Sequence, residues 1–156
     1  MTTYTTVNGR ILSENRNGVT TDYVPDALGS TVALLGAGQS IQATYSYWPY
    51  GSDNASTGTN PTPFRFGGTL GIARDTDGRG YCRARYLDKV KARWLTQDPI
   101  GFTGGDWNLY PYALGSPATA ADFTTCCSAF GSQLGCISSD TSDELTSQDP
   151  VGFGGQ

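Results

Sequence analysis

The stretch TTYTTVNGRILSENRNGVTTDYV, Thr2–Val24, decides the fold class. Asn8-Gly9 and Asn17-Gly18 are the dipeptides that suit a two-residue type I′ turn, because both central residues need positive φ and Asn and Gly tolerate it best. The intervals TTYTTV, RILSEN and VTTDYV are rich in β-branched and aromatic residues. Together they predict two consecutive hairpins forming a meander.

The same grammar continues downstream. Asp26–Ser30 reads as a turn, Thr31–Leu35 as a short apolar strand and Gly36-Ala37-Gly38 as another turn. Ile41–Trp48 alternates with period 2, placing Ile41, Ala43, Tyr45 and Tyr47 on one face. Ser52–Thr62 is polar throughout and is expected to be a surface loop. Asn54-Ala55-Ser56 within it fits a glycan acceptor pattern. Phe64 and Phe66 are expected on one face of a strand with Arg65 on the other. Asp77-Gly78 marks a turn, Gly80–Asp88 alternates like one strand, and Arg93–Gln97 forms another. Asp98-Pro99-Ile100-Gly101 closes the region as a turn, with Pro99 fixing φ. The expected fold is all-β, a strip of antiparallel hairpins, with a short irregular or helical segment at the C-terminal end. A β domain over residues 1–122 would be followed by a Cys-containing segment and tail over 123–156.

Composition agrees. Hydrophobic content is 37% and charged content 15%, with 21 glycines, as many short strands joined by tight turns require. The net charge of −4 argues against nucleic acid as a partner. The basic residues gather between Arg65 and Arg93, while the acidic residues from Asp140 on have no basic residue among them, which suits solvated faces of opposite sign or head-to-tail contact between copies. No apolar run approaches the ~20 residues of a membrane span, and MTTYTTVNGR has no signal-peptide pattern. Cys82, Cys126, Cys127 and Cys136 allow three disulfide pairings, and sequence does not choose among them. The spacing lacks CxxC, and the chain has no His, so no metal site or other cofactor is expected.

The motifs YVPDALGST (23–31), YSYWPYG (45–51), PFRFGG (63–68), GYCRARYLD (80–88), RWLTQDPIGF (93–102) and GGDWNLYPYALGSP (104–117) occur in the order seen in bacterial Rhs/YD-repeat-associated core domains. Tyr23–Pro117 resembles that family. The resemblance implies a β-hairpin strip, which in large Rhs proteins winds into a hollow shell around a toxin. It marks Arg83, Arg85, Trp94, Asp98, Pro99 and Gly101 as core-motif residues. The chain departs from the family in having no long series of preceding repeats and in placing Cys82 and Leu87 where Tyr is usual. Toxin-type members also carry a second Asp-Pro-x-Gly belonging to an aspartyl self-cleavage site. Here that place reads Asp122-Phe123-Thr124-Thr125.

Without His, no Ser/His/Asp or Cys/His arrangement is available. The one enzymatic constellation is the carboxylate pair Asp98 and Asp122, which could share a proton if held close. The lost Pro and Gly favour a turn-capping Asp98 instead, so the chain is expected not to be an enzyme. Arg83 and Arg85 are expected on one sheet face, pairing with Asp75, Asp77 or Asp88 or stacking on tyrosines.

Ser147–Gly155, SQDPVGFGG, echoes Thr96–Gly105, TQDPIGFTGG. A short strip leaves two open edges, which are templates for further strands. The expected function is therefore structural: a self-assembling subunit of an extracellular or cell-surface filament or tube, its partners copies of itself. In it Gln148, Asp149, Pro150, Val151, Gly152 and Phe153 dock on a neighbour. The alternative is the self-cleaving core of an Rhs-type toxin shell.

Overall fold

The computed structural model describes residues 1–83, 85–99, 101–104, 107–121 and 145–146. Six strands follow one another as an antiparallel meander: β1 (Thr2–Val7), β2 (Arg10–Arg16), β3 (Val19–Pro25), β4 (Thr31–Leu35), β5 (Ile41–Tyr47) and β6 (Asp53–Gly58). A smaller sheet follows, made of β7 (Ala73–Arg74), β8 (Gly80–Cys82), β9 (Arg85–Asp88) and β10 (Arg93–Trp94), each paired with its sequence neighbour. A last pair of residues, β11 (Leu145–Thr146), pairs antiparallel with β1 at Tyr4 and Thr3. The all-β expectation holds. The expected irregular or helical C-terminal segment lies outside the described residues.

The two Asn-Gly turns behave as their chemistry requires. Asn8, Gly9, Asn17 and Gly18 all take positive φ, at 50, 72, 53 and 87°. The register that follows puts Tyr4, Glu14 and Thr21 in one cross-strand row, and Tyr23, Leu34 and Ala43 in another. All six are buried on the inner face. Residues 60–71 cross that face as a strap. Thr31 donates to the carbonyls of Arg65 and Phe64, Ser30 Oγ accepts from Gly67, and Thr69 donates to the Gly29 carbonyl. Gly29 has φ 84°, and a Cβ there would stand 2.6 Å from Leu70, so the strap closes against bare backbone.

The inner faces form two clusters. Tyr4, Ile11, Tyr23, Leu34, Ala43 and Tyr45 fill the large sheet, and Phe66, Ile72, Cys82, Leu87, Trp94, Tyr112 and Ala113 fill the small one. Tyr47 packs against both and bridges them.

Several local expectations are corrected. Ser52–Thr62 is not all loop, because its first half is the edge strand β6. Every residue of β6 is exposed, so it has no core face to impose alternation, and its pairing uses polar contacts such as Thr44–Thr57 at 2.6 Å. Gly80–Asp88 is not one strand but a hairpin, β8–β9, turning at Arg83, where φ is 46°. Even spacing across a two-residue turn imitates continued alternation. Arg83 and Arg85 therefore do not share a face: Arg83 is exposed on the turn and Arg85 is buried. Phe64 and Phe66 lie in no strand. Phe64 packs on Tyr4 and Phe66 on Tyr47 and Tyr112, because the strap turns between the two clusters. Ile41 is 68% exposed, since the bulge beside Leu35 shifts the end of β5 out of register. The strand expected over Arg93–Gln97 keeps only Arg93–Trp94, and the chain then bends toward the Asp98 turn. One edge expected to be open, that of β1, is met by β11.

Candidate functional site

The small sheet is built round a buried cation. Cross-strand partners share a face, so Cys82 opposite Arg85 and Gly80 opposite Leu87 point inward, while Tyr81 and Tyr86 pair outward with rings 4.9 Å apart. Arg85 is 1% exposed. Its Nη1 donates to Asp98 Oδ2 at 3.1 Å, and its guanidinium lies 4.2 Å over the ring of Trp94, which is fully buried. Such a pair supplies charge, directional hydrogen bonding and ring stacking in one place.

The backbone completes the clamp. Trp94 N–H donates to the Tyr110 carbonyl, Asp98 N–H to that of Leu109, and Gly101 N–H to that of Asp98, all at 2.9 Å. The last is the i to i+3 bond of the predicted turn, with Gly101 at φ 58°. Arg85 is thus paired with Asp98, rather than with the expected Asp75, Asp77 or Asp88. Asp75 and Asp77 instead engage Arg79, and Asp88 engages Lys91. A backbone bond from Lys91, then its side chain, keeps the partly buried Asp88 carboxyl below its ordinary range.

Among the expected site residues, Arg85, Trp94, Asp98 and Gly101 come together, while Pro99 is exposed at the turn. Asp122, Cys126, Cys127, Cys136 and Gln148, Asp149, Pro150, Val151, Gly152 and Phe153 lie outside the described residues. The Asp122 half of the Asp98–Asp122 pair and the docking tail therefore lie there. Asn54 is exposed on β6, its amide donating to Ser46 Oγ at 3.3 Å.

β6 is the second feature of interest. Ala55 N–H donates to Ser46 Oγ at 3.1 Å, and the Ala55 carbonyl accepts from the same hydroxyl at 3.4 Å. In an antiparallel ladder a residue's N–H and C=O point the same way and alternate along the strand, so those of Ser56 point away from β5. Among the described residues no strand pairs with that outer side.

Two buried groups escaped the sequence reading. Glu14, 1% exposed, accepts from Tyr23 Oη at 2.9 Å, and Tyr23 also meets Thr62 Oγ1. Burial, with Glu14 beside it, pushes the Tyr23 hydroxyl well above its usual range, so it stays a donor. Lys89, 9% exposed, continues the inward series Arg85, Leu87, Lys89. Period 2 from Leu87 was the available signal; the gathering of basic residues between Arg65 and Arg93 concealed it by reading as a solvated face.

No family model matches the chain. Over 45 residues, 29% of its length, it is 49% identical to the uncharacterized protein YlbH of Escherichia coli K12. Over 40 residues it is 50% identical to YibJ of the same organism. It spans only 18% and 17% of those two proteins. It superposes on a chain of a TcdB2-TccC3-TEV crystal structure with TM-score 0.68 and 22% identity, covering 79% of this chain and 6% of that one. A chain of a Photorhabdus luminescens Tc holotoxin pore gives TM-score 0.63 and 26% identity over 72% of this chain and 5% of that one. The chain therefore has the fold of a small part of the Tc toxin chains, consistent with an Rhs-type fragment.

Proposed function

We propose that the chain is a non-enzymatic structural element, a hairpin strip that adds to copies of itself through the open edge of β6. The observation that carries this reading is β6 itself. It has six residues, none buried, and it is the terminal strand of its sheet, with the Ser56 N–H and C=O turned outward. Such an edge is a template for another strand. The likeness to Tc toxin chains supports an Rhs-related structural role, since there the same fold occupies 5–6% of a much longer chain.

Two modes of addition differ in outcome. β6 on β6 is self-complementary and closes a dimer. β6 on the β1 edge of the next copy runs on as a filament or tube. The second is the proposed mode. Among the described residues only Leu145 and Thr146 meet the β1 edge, at Tyr4 and Thr3, and the proposed mode places a neighbour along the remainder. The tail motif Gln148–Phe153 would then dock on that neighbour. An oxidising, extracellular setting would suit a disulfide between Cys82 and one of the C-terminal cysteines.

Negative-stain microscopy and light scattering of the full chain, with Ser56→Pro beside it, test the reading. Proline at Ser56 removes an outward donor and leaves the β5 ladder intact. Filaments in the parent and monomers of unchanged 16.5 kDa mass in the variant are expected. A parent that stays monomeric, a closed dimer, or assembly indifferent to Ser56→Pro would each sink the filament. Spontaneous loss of mass abolished by Asp98→Asn would instead establish self-cleavage.

A further inference from the structure

The joint between the two sheets gathers three cations round one carboxylate. Asp53 opens β6; Arg74 of β7 reaches its Oδ2 at 2.6 Å and Arg65 of the strap at 3.7 Å. Lys89 follows β9, and its carbonyl accepts from Ser52 Oγ at 3.1 Å, which fixes it beside the turn that leads into Asp53. Its stem runs past Gly80, where a Cβ would stand 3.7 Å from Lys89 Cε. Asp75, the other carboxylate near Lys89, is already taken at both oxygens by Arg79, through its backbone N–H and its Nε.

Two donors in this group are left over. Arg65 Nε is buried with no hydrogen-bond partner, and among the described residues the Lys89 ammonium has neither ion pair nor hydrogen bond, although the residue is 9% exposed. The Lys89 stem is buried while its ammonium keeps a path to solvent, and a cation so largely desolvated without a counter-ion is costly; an anion that supplies charge and acceptors together relieves that cost. We infer that this joint binds an oxyanion, a carboxylate or phosphate group, held by Lys89 with Arg65 and Arg74. Burial first, then Arg74 and Arg65 against the pull of Asp53, lowers the Lys89 pKa to about 8. The amine thus remains largely charged at neutral pH and would be strengthened as a cation by the incoming group. The site does not depend on assembly, and Asp53 leaves it a net positive centre rather than a neutral cluster.

The test is the melting temperature of the full chain at pH 7 in sodium phosphate, in sodium acetate, and in sodium chloride of matched ionic strength. A saturable rise with phosphate or acetate beyond that with chloride is expected, with apparent affinity falling about tenfold or more in Lys89→Met. Phosphate alone acting marks a tetrahedral ligand, and acetate a carboxylate; either supports the site. Identical curves in all three salts, or an unchanged response in Lys89→Met, would overturn it. Should Lys89→Met not fold, nitrogen-detected NMR of the parent gives a second reading. The Lys89 titration midpoint must rise with the active anion, and a midpoint that does not move refutes the proposal.

Discussion

Among the described residues each sheet has one ion buried to 1% exposure, and the two do different jobs. Glu14 in the large sheet and Arg85 in the small one are each 1% exposed. Glu14 stands on seven-residue β2, whose register is already set by Asn-Gly turns at both ends. It needs only the Tyr23 hydroxyl at 2.9 Å and a half-exposed Arg16 at 3.4 Å. Arg85 stands on a four-residue strand between partners of three and two residues. Strands so short specify their register weakly through pairing alone. There the Arg85 guanidinium, joining Asp98 to the face of Trp94, supplies the alignment that length supplies in the large sheet.

The largest expected effect follows from that contrast. Arg85→Met should cost about 3–5 kcal/mol in urea unfolding, because breaking a buried pair removes the cation from both its carboxylate and its ring. Glu14→Gln should cost only about 1 kcal/mol, since the amide oxygen still accepts from Tyr23. Fluorescence of buried Trp94, read in a background with the exposed Trp48 and Trp107 replaced by Phe, reports the small sheet directly. Equal costs at the two sites would erase the distinction between a sheet held by its turns and a sheet held by an ion pair.

The same contrast decides what could be read from sequence. The large sheet was legible because its information is local. Asn8-Gly9 and Asn17-Gly18 state their turns, and Thr31–Leu35 is found as read. The small sheet was not, because its information is non-local. The turn at Arg83 has no Asn-Gly signature, so the alternation ran through it and assigned Arg83 and Arg85 to one face. The Arg85–Asp98 pair joins residues that only the hairpin brings together. β6 was missed for the opposite reason: with no buried face it carries no hydrophobic period, and its pairing rests on Ser, Thr and Asn contacts that read as loop. Asp98 as the anchor of a tight turn was legible, since Pro99 and Gly101 announce the geometry. Its ionic partner was not.

A second effect concerns Lys89, at the seam. Its folded pKa of about 8 lies below the ordinary 10.5, so the folded state binds the proton less well than the unfolded chain. Below pH 8 both states are charged and burial of the ammonium destabilises the fold in full. Between about pH 8 and 10.5 the unfolded state still holds the proton that the folded state has released, so stability climbs with pH. Lys89→Met should therefore be more stable than the parent by about 2 kcal/mol at pH 7, with the difference shrinking by pH 10. Paired denaturation curves at the two pH values check it. A variant that is less stable at pH 7, or a gap that widens with pH, would show that the ammonium is not penalised at the joint.

The smallest expected effect tests whether the sheets are independent. Gly18 has φ 87°, with nothing within 4 Å of a built Cβ, so Gly18→Ala carries backbone strain and no clash. It should cost about 1 kcal/mol, and Gly18→Asn less, because Asn enters the left-handed region more readily. The turn joins β2 to β3 and also bonds Met1 through Asn17, all within the large sheet, with no residue in common with the Arg85 cluster. If turns hold one sheet and the buried ion the other, Gly18→Ala and Arg85→Met should add to within about 0.5 kcal/mol, as distant sites do. A larger coupling would mean that Tyr47, which packs against both clusters, transmits register between them. The large sheet would then depend on the Arg85 centre as much as the small one does.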